Sequence, residues 1–199
     1  SLLSFTRVWA NYGESSYVNE DGVTVLEWAR DNQGNDVKPK TEEIPEWQSR
    51  YLYDSNGYIT EPLSVYFEEG THTISMVSLK EPMLINKLVL NNAGDAKTYE
   101  EVKAEWDAQG AKDTSGVHIV LEGEYASKTS SQMLYPQQDQ SSPSVSPSSA
   151  KALLNNSIGG NSWRLVGQWI EWDFDVPEDG YYDITLYDKQ NFSRGIHVS

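Results

Sequence analysis

The alternation of side-chain type over residues 169–187 constrains this chain more than any other feature. Apolar residues occupy every second position from Ile170 to Val176. The alternate positions, starting one residue earlier, carry Trp169 and three acids. A Pro-Glu-Asp-Gly turn follows, and the apolar alternation resumes from Tyr182 to Leu186. Successive side chains of a β-strand point to opposite faces, so the pattern predicts two antiparallel strands over a core. We expect Trp169, among the acids, to pack against neighbouring chain rather than serve as a ligand platform.

Further strands are predicted along the chain from the same signal. Period-two alternation or short β-forming runs bounded by turn residues occur at 4–10, 23–29, 62–79, 82–90 and 116–127. The stretch 11–22 is rich in turn residues, as is the long loop that follows the second strand. Many short strands with frequent turns predict an all-β fold, an antiparallel β-sandwich.

One α-helix interrupts the strands. Thr98 with Glu101 three residues later forms the pattern of a capping box, and Gly110 is a typical helix terminator. A later segment, residues 128–150, is rich in Ser, Gln and Pro and lacks the apolar content for a core of its own. We expect this segment to be an extended surface loop lying over a neighbouring sheet.

Composition restricts the partners. The 199 residues carry 30 acids against 15 Lys and Arg, a net charge of −15, which repels nucleic acid and anionic membrane surfaces. No apolar run approaches the roughly 20 residues of a membrane span, so we expect no direct membrane insertion. Seven Trp and twelve Tyr against four Phe suit either the packing of a sandwich or the stacking of amphipathic rings on sugars. With no cysteine, the chain has neither disulfides nor thiolate chemistry.

Several short motifs resemble those of galactose-binding-like jelly rolls, the carbohydrate-binding modules of the family 6 and family 35 type. These modules open on a Glu-x-Glu strand, here Glu122 and Glu124, and contain an Asp-Gly-Tyr turn, here Asp179 to Tyr181. A closer resemblance is to large Gram-positive solute-binding lipoproteins of sugar ABC transporters, which carry such modules. The matching residues, in order, are Arg7, Val8, Trp9, Gly34, Asn35, Asp36, Pro45, Trp47, Asp54, Ser55, Gly57, Tyr58, Glu61, Pro62, Glu81, Pro82 and Met83.

The resemblance implies a division of the chain. Residues 1–95 resemble the second half of one module, 96–114 form a helical connector, and 115–199 resemble the first half of a module. Half-sandwiches leave long unpaired edges, so we expect the halves to pack as one jelly-roll sandwich or to pair with another copy. The apolar ends of the chain predict that it is part of a larger polypeptide.

The resemblance also implies sites. A Glu122 and Glu124 pair on one strand face is expected to hold a structural Ca²⁺, an ion that prefers carboxylate oxygens. A solvated acidic face is the alternative, and Asn86 stands where the family has a further acid. An oligosaccharide or polysaccharide is expected to bind side chains that offer forked hydrogen bonds or a stacking surface. The candidates are Asn161, Trp163, Arg164, Gln190, Asn191 and Arg194. The alternative is that these residues only stabilise loops.

No catalytic motif for nucleophilic, metalloprotease, phosphate-binding or dinucleotide chemistry occurs. The histidines His72, His118 and His197 lie in strand patterns, where half-buried positions are expected. We therefore expect no enzyme but a carbohydrate-binding accessory region of an extracellular sugar-uptake or glycan-processing protein, anchored at a Gram-positive cell surface. The alternatives are a structural spacer without ligand and an ancillary domain of a glycoside hydrolase.

Overall fold

The computed structural model describes residues 2–80, 82–92, 94, 97–114 and 116–190. Its strands are β1 (Trp9–Tyr12), β2 (Ser15–Val18), β3 (Thr24–Glu27), β4 (Lys40–Glu43), β5 (Lys128–Thr129) and β6 (Ile170–Glu171), and its helix is α1 (Tyr99–Ala108). Every strand pair is antiparallel, as the sequence predicts for an all-β fold with one helix.

The larger sheet joins the two ends of the chain. Its strand order is β4-β1-β5-β6, so β1 has a neighbour from the N-terminal region on one side and one from the C-terminal region on the other. Trp9 lies opposite Glu43 of β4 and opposite Thr129 of β5. Residues more than a hundred positions apart in sequence therefore share one sheet.

A two-stranded sheet, β2 with β3, forms the second β element. Asn19 accepts hydrogen bonds at Oδ1 from the backbone N–H groups of Asp21 and Val23, and Gly22 takes a positive φ of 74°. The prediction that residues 11–22 are turn was wrong over β2 and over the end of β1, and the loop predicted after the second strand contains β4. Ser15 to Val18 pair residue by residue with β3, and this pairing is not visible in local composition.

Helix α1 has the predicted capping box, with Thr98 and Glu101 bonded reciprocally, and it ends before Gly110 at φ 89°. Tyr181 docks on the helix: its hydroxyl donates to Asp107 Oδ1 at 2.6 Å, and its ring lies 6.1 Å from that of Trp106. Gly180 permits the close approach of this turn to the segment that follows the helix, because a Cβ there would lie 2.6 Å from the carbonyl oxygen of Lys112.

Other predicted strands form no ladder in the described residues. Residues 62–80, 82–90, 116–122, 172–176 and 182–187 have a few bends but no strand pairing. Their alternating apolar side chains stay largely exposed, with Ile184 at 96%. A strand is defined by its partner as well as by its alternation, and no described segment lies alongside to accept these backbone hydrogen bonds.

The buried interior is small and mostly polar. The buried apolar side chains among the described residues are Val8, Ala10, Val23, Ala126 and Leu134, together with Pro39 and Pro136. The buried polar or charged residues there are Asn11, Asp36, Asp54, Glu124, Thr129, Ser130, Asn155 and Asn156. Leu134, from the Ser-, Gln- and Pro-rich segment, is fully buried, and its carbonyl accepts from Asn11 Nδ2 at 3.1 Å. The prediction of a surface loop over 128–150 is therefore wrong at its start, where β5 belongs to the larger sheet, while Leu134 beyond β5 lies against β1.

Candidate functional site

A buried carboxylate, Asp36, fixes one side of the site. Its Oδ1 accepts from Arg30 Nε at 3.1 Å and its Oδ2 from the backbone N–H of Asn155 at 3.0 Å. Its own N–H donates to the carbonyl of Leu153 at 2.8 Å, and its carbonyl accepts from Gln138 Nε2 at 2.6 Å. Because charge-assisted bonds compensate the buried charge, Asp36 holds the N-terminal loop against residues 153–155.

Asn156 fixes the opposite side. Its Nδ2 donates to the carbonyls of Asp139 and Pro147, each at 2.9 Å, and its Oδ1 accepts from the N–H of Asp139 at 2.8 Å. The backbone N–H of Gln137 donates to Ser157 at 2.7 Å. These bonds hold residues 135–139 beside residues 155–157, although neither stretch belongs to a strand.

An open cleft of about 470 Å³ lies where these segments meet. Side chains from four separate parts of the sequence line it, and most of them are amides or hydroxyls. They are Lys38, Tyr135, Pro136, Gln137, Gln138, Asn155, Asn161 and Ser162. The volume lies within the range of small-molecule sites.

The amide side chains of the cleft are oriented by the hydrogen bonds that their own N–H groups donate. Gln138 Nε2 donates to the carbonyl of Asp36, Gln137 Nε2 to that of Gly159 at 3.3 Å, and Asn155 Nδ2 to that of Val37 at 3.4 Å. Among the described residues, no hydrogen bond reaches the side-chain carbonyl oxygens of these three amides. The cleft therefore presents fixed acceptors, which suit a ligand with several hydroxyl donors.

Lys38 and Tyr135 supply the aromatic and cationic part of the lining. The Lys38 ammonium lies 4.0 Å from the centroid of the Tyr135 ring, within cation–π range. One face of the ring is thereby covered by the ammonium. No ion pair of Lys38 with a carboxylate occurs in the part of the chain that is described. Its ammonium is positioned by the Tyr135 ring.

Of the residues predicted to bind sugar, the structure brings Asn161 into this cleft. Trp163 flanks it without lining it: its ring packs on Gly159, and its Nε1 donates to the carbonyl of Gln168 at 3.3 Å. The backbone of Arg164 donates to Gln168 Oε1 at 2.8 Å, so this loop is braced by Gln168. Gln190 does not line the cleft, and Asn191 and Arg194 lie outside the described residues.

Sequence reasoning missed the rest of the lining. Tyr135, Gln137 and Gln138 stand together as "YPQQ", and Asn155 belongs to "LNNS". The clustering of amides was a usable signal, but nothing local places either cluster beside Lys38.

Trp169 is half-buried, and its Nε1 donates to Thr6 Oγ1 at 3.2 Å. Its backbone N–H donates to Ser130 Oγ at 2.9 Å. The prediction that Trp169 packs against neighbouring chain is confirmed. Thr6 is 163 positions away in sequence, so this bond also crosses between the two ends of the chain.

The prediction that Glu122 and Glu124 share a strand face is wrong. Gly123–Tyr125 forms a 3-10 turn that begins after Glu122, because the chain bends into β5 here instead of continuing as a strand. Glu124 is 0% exposed, and neither of its carboxylate oxygens has a hydrogen-bond partner. Burial, with smaller contributions from the charges of Glu122 and Asp36, raises the pKa of Glu124 to about 8.

The surroundings of Glu124 are aromatic on one side. Tyr125 stacks on Trp28, with ring centroids 6.2 Å apart, and Trp28 Nε1 is also buried without a partner. The described part of the chain has no group of three or more His, Cys, Asp or Glu side chains placed to hold a metal ion. A cation held by Glu122 and Glu124 would therefore need its remaining ligands from groups other than acidic or imidazole side chains.

A second, smaller cleft of about 390 Å³ has an acidic lining that includes Glu20, Asp21 and Asp175 together with His118. His118 and His72 are exposed, so the expectation of half-buried histidines was wrong for both; His197 lies outside the described residues. The ring nitrogen Nε2 of His72 lies 2.7 Å from the carbonyl oxygen of Glu68, within its own turn.

No protein-family model, curated protein or solved structure matches this chain. Within the described residues, no helix has the length and apolar character needed to cross a membrane.

Proposed function

We propose that this protein binds an oligosaccharide or polysaccharide, without catalysis, in the cleft that contains Asn161. The observation that carries the proposal is the cleft itself, where three amides with engaged donors turn their carbonyls into fixed acceptors beside Tyr135. Sugar hydroxyls are donors as well as acceptors, and pyranose faces pack on aromatic rings. The net charge of −15 disfavours phosphate-rich ligands such as nucleic acids.

Trp163 supports the same ligand class from outside the cleft. Half of its surface is exposed, and its loop is braced by Gln168. The ring is therefore held in place beside Ser162 of the lining. A ligand longer than one sugar unit would extend from the amide cleft toward this ring.

The resemblance to family 6 and family 35 modules supports the wider proposal. The chain is a jelly-roll accessory region of an extracellular sugar-uptake or glycan-processing protein at a Gram-positive cell surface. The pairing of β1 with both β4 and β5 supports the view that the two halves of the chain complete one sandwich.

Calcium is the cofactor that the resemblance implies. The buried Glu124 carboxylate, with two oxygens lacking partners, fits a hard divalent cation, because the cation would offset the cost of burying the charge. Glu122 and Glu124 are the residues that would hold it. Addition of Ca²⁺ is expected to raise the melting temperature of the wild type and to leave that of Glu124→Gln unchanged; an equal response of both proteins would contradict this assignment.

Titration calorimetry against a broad panel of neutral and acidic oligosaccharides tests the binding proposal. We expect a ligand whose affinity falls about tenfold or more in Asn161→Ala and in Tyr135→Ala, since each removes a direct contact. Asn86→Ala, an exposed amide outside the cleft, is the matched control and should bind as the wild type does. A folded wild type that binds nothing across the panel would overturn the proposal in favour of a structural spacer.

A further inference from the structure

A long apolar part of the chain has no cover. We define the strand-edge segment as residues 62–80 and 82–90. Its alternating side chains are exposed to a degree unusual for their type: Val77 is 79% and Leu84 83% exposed. Monomeric proteins rarely expose apolar patches larger than a few hundred Å², and larger ones mark contact surfaces.

The backbone of the strand-edge segment is also unpaired. Leu63 N–H donates to the carbonyl of Leu52 at 2.8 Å, and no other backbone–backbone hydrogen bond of the segment occurs within the described residues. Backbone N–H and C=O groups that no described segment pairs are a template for another strand. Its side chains and its backbone thus both favour strand addition.

The chain as a whole exposes more surface than a compact monomer of its mass. The accessible surface of the chain is 16167 Å² for 22.5 kDa. A compact monomer of that mass exposes about 9,500 Å², so roughly 6,700 Å² is in excess. Obligate protein interfaces bury about 2,000–5,000 Å² in total, so an interface at the strand-edge segment would account for part of this excess.

Charge singles out the strand-edge segment as a place where two copies can meet. Residues 62–90 carry three acids and two lysines, a net charge of −1, while the chain carries −15. Two of the acids, Glu68 and Glu69, belong to the turn and leave the run 71–79 without any charged side chain. Two copies repel each other least where this run meets its equivalent.

We propose that the strand-edge segment is an isologous interface, where it pairs antiparallel with the same segment of a second copy. Antiparallel pairing of one strand with its copy is related by a two-fold axis, so each donor finds the equivalent acceptor without a different partner protein. Closure by the two-fold axis limits the assembly to a dimer. This surface is separate from the amide cleft, and its occupation does not depend on a sugar.

Sedimentation velocity on the purified chain tests the proposal. We expect a species of about 45 kDa, twice the chain mass of 22.5 kDa, that dissociates on dilution. Val77→Lys places a charge in the uncharged run and should shift the dimer to monomer. Val18→Lys is the matched control, since Val18 is 64% exposed on β2, outside the segment, and it should leave the dimer intact.

Hydrogen–deuterium exchange of the same proteins makes the outcome independent of any effect on folding. Amides of residues 63–79 should be protected in the wild type at high concentration and lose protection in Val77→Lys, while those of β1 stay protected in both. A wild type that stays at 22.5 kDa to about 100 µM, or one that forms open-ended larger assemblies, would overturn the proposal.

Discussion

The region around Asp36 and the strand-edge segment reverse the usual relation between polarity and burial. Asp36, Asn155 and Asn156 are polar and at most 7% exposed, while Leu84 and Val77 are apolar and about four-fifths exposed. The polar region is buried because Asp36 bonds Asn155, 119 positions away in sequence, and Asn156 bonds Asp139 and Pro147. The apolar segment is exposed because no described chain covers it. Burial in this protein thus follows the presence of partners and not side-chain type alone.

The largest expected effect compares one leucine from each region. Leu134→Ala should lower the free energy of unfolding by about 3–4 kcal/mol, because a fully buried side chain leaves a cavity. Leu84→Ala should leave it within about 0.5 kcal/mol at low protein concentration. Urea denaturation of both variants measures the difference. Equal losses would show that the two regions do not differ in packing as described.

The pH dependence of stability should be the next largest effect, and it arises at Glu124. Between about pH 4.5 and 8 the carboxyl is ionised in the unfolded chain but protonated in the folded one, because burial raises its folded pKa to about 8. Unfolding then releases a proton, so stability falls as pH rises through this window and the slope vanishes above it. The loss is on the order of 2–3 kcal/mol between pH 5.5 and 8.5.

Urea titrations at both pH values, with a chelator present, check this pH dependence. The isosteric variant Glu124→Gln should flatten the slope, since it removes the titrating group and little volume. The same slope in the variant and in the wild type would show that other groups cause it.

Asp36→Ala should lower the free energy of unfolding by about 2 kcal/mol, because the N–H of Asn155 is left buried without its acceptor. Asp183→Ala, at an exposed acid, is the matched control and should change stability by less than about 0.5 kcal/mol. Thermal denaturation of the two variants tests whether the hydrogen bonds of Asp36 stabilise the buried polar region. A control as damaging as the variant would assign the effect to net charge instead of to the hydrogen bonds.

The smallest expected effect lies at the contact between α1 and the Asp-Gly-Tyr turn. Tyr181→Phe removes the 2.6 Å hydrogen bond to Asp107 but keeps the ring against Trp106. We expect a loss of about 1 kcal/mol in the free energy of unfolding, measured by urea denaturation. Tyr182→Phe, which loses a bond to Glu178 within its own turn, is a comparison in which no contact with α1 changes. A larger loss in Tyr182→Phe would contradict the docking of α1 through Tyr181.

Local features of this fold were predictable from sequence, and long-range ones were not. The capping box of Thr98 and Glu101 and the stop at Gly110 were predicted because each depends on residues within one turn. β1 and β3 were located to within a few residues for the same reason. The pairing of β1 with β5 joins positions about 120 apart, and no local signal specifies it.

The candidate site divides in the same way. Asn161 was predicted because its amide offers forked hydrogen bonds in a loop that also carries Trp163. Lys38, Tyr135 and Asn155 enter the cleft through the bonds of Asp36 and Asn156. The acidic pair was noticed at Glu122 and Glu124, yet the strand it implied is a 3-10 turn that buries one carboxylate and not the other. Which of two acids becomes buried depends on the tertiary neighbours of each.

Native-state hydrogen exchange tests most directly the claim that the two ends of the chain form one unit around the cleft. The Ile44 amide bonds Val8 within the N-terminal region, and the Asn156 amide bonds Gln137 within the C-terminal region. If one cooperative unit holds both, their opening free energies should agree within about 0.5 kcal/mol and fall together in Asp36→Ala. Opening free energies that differ by more than about 2 kcal/mol, or a variant in which only one amide loses protection, would contradict the account.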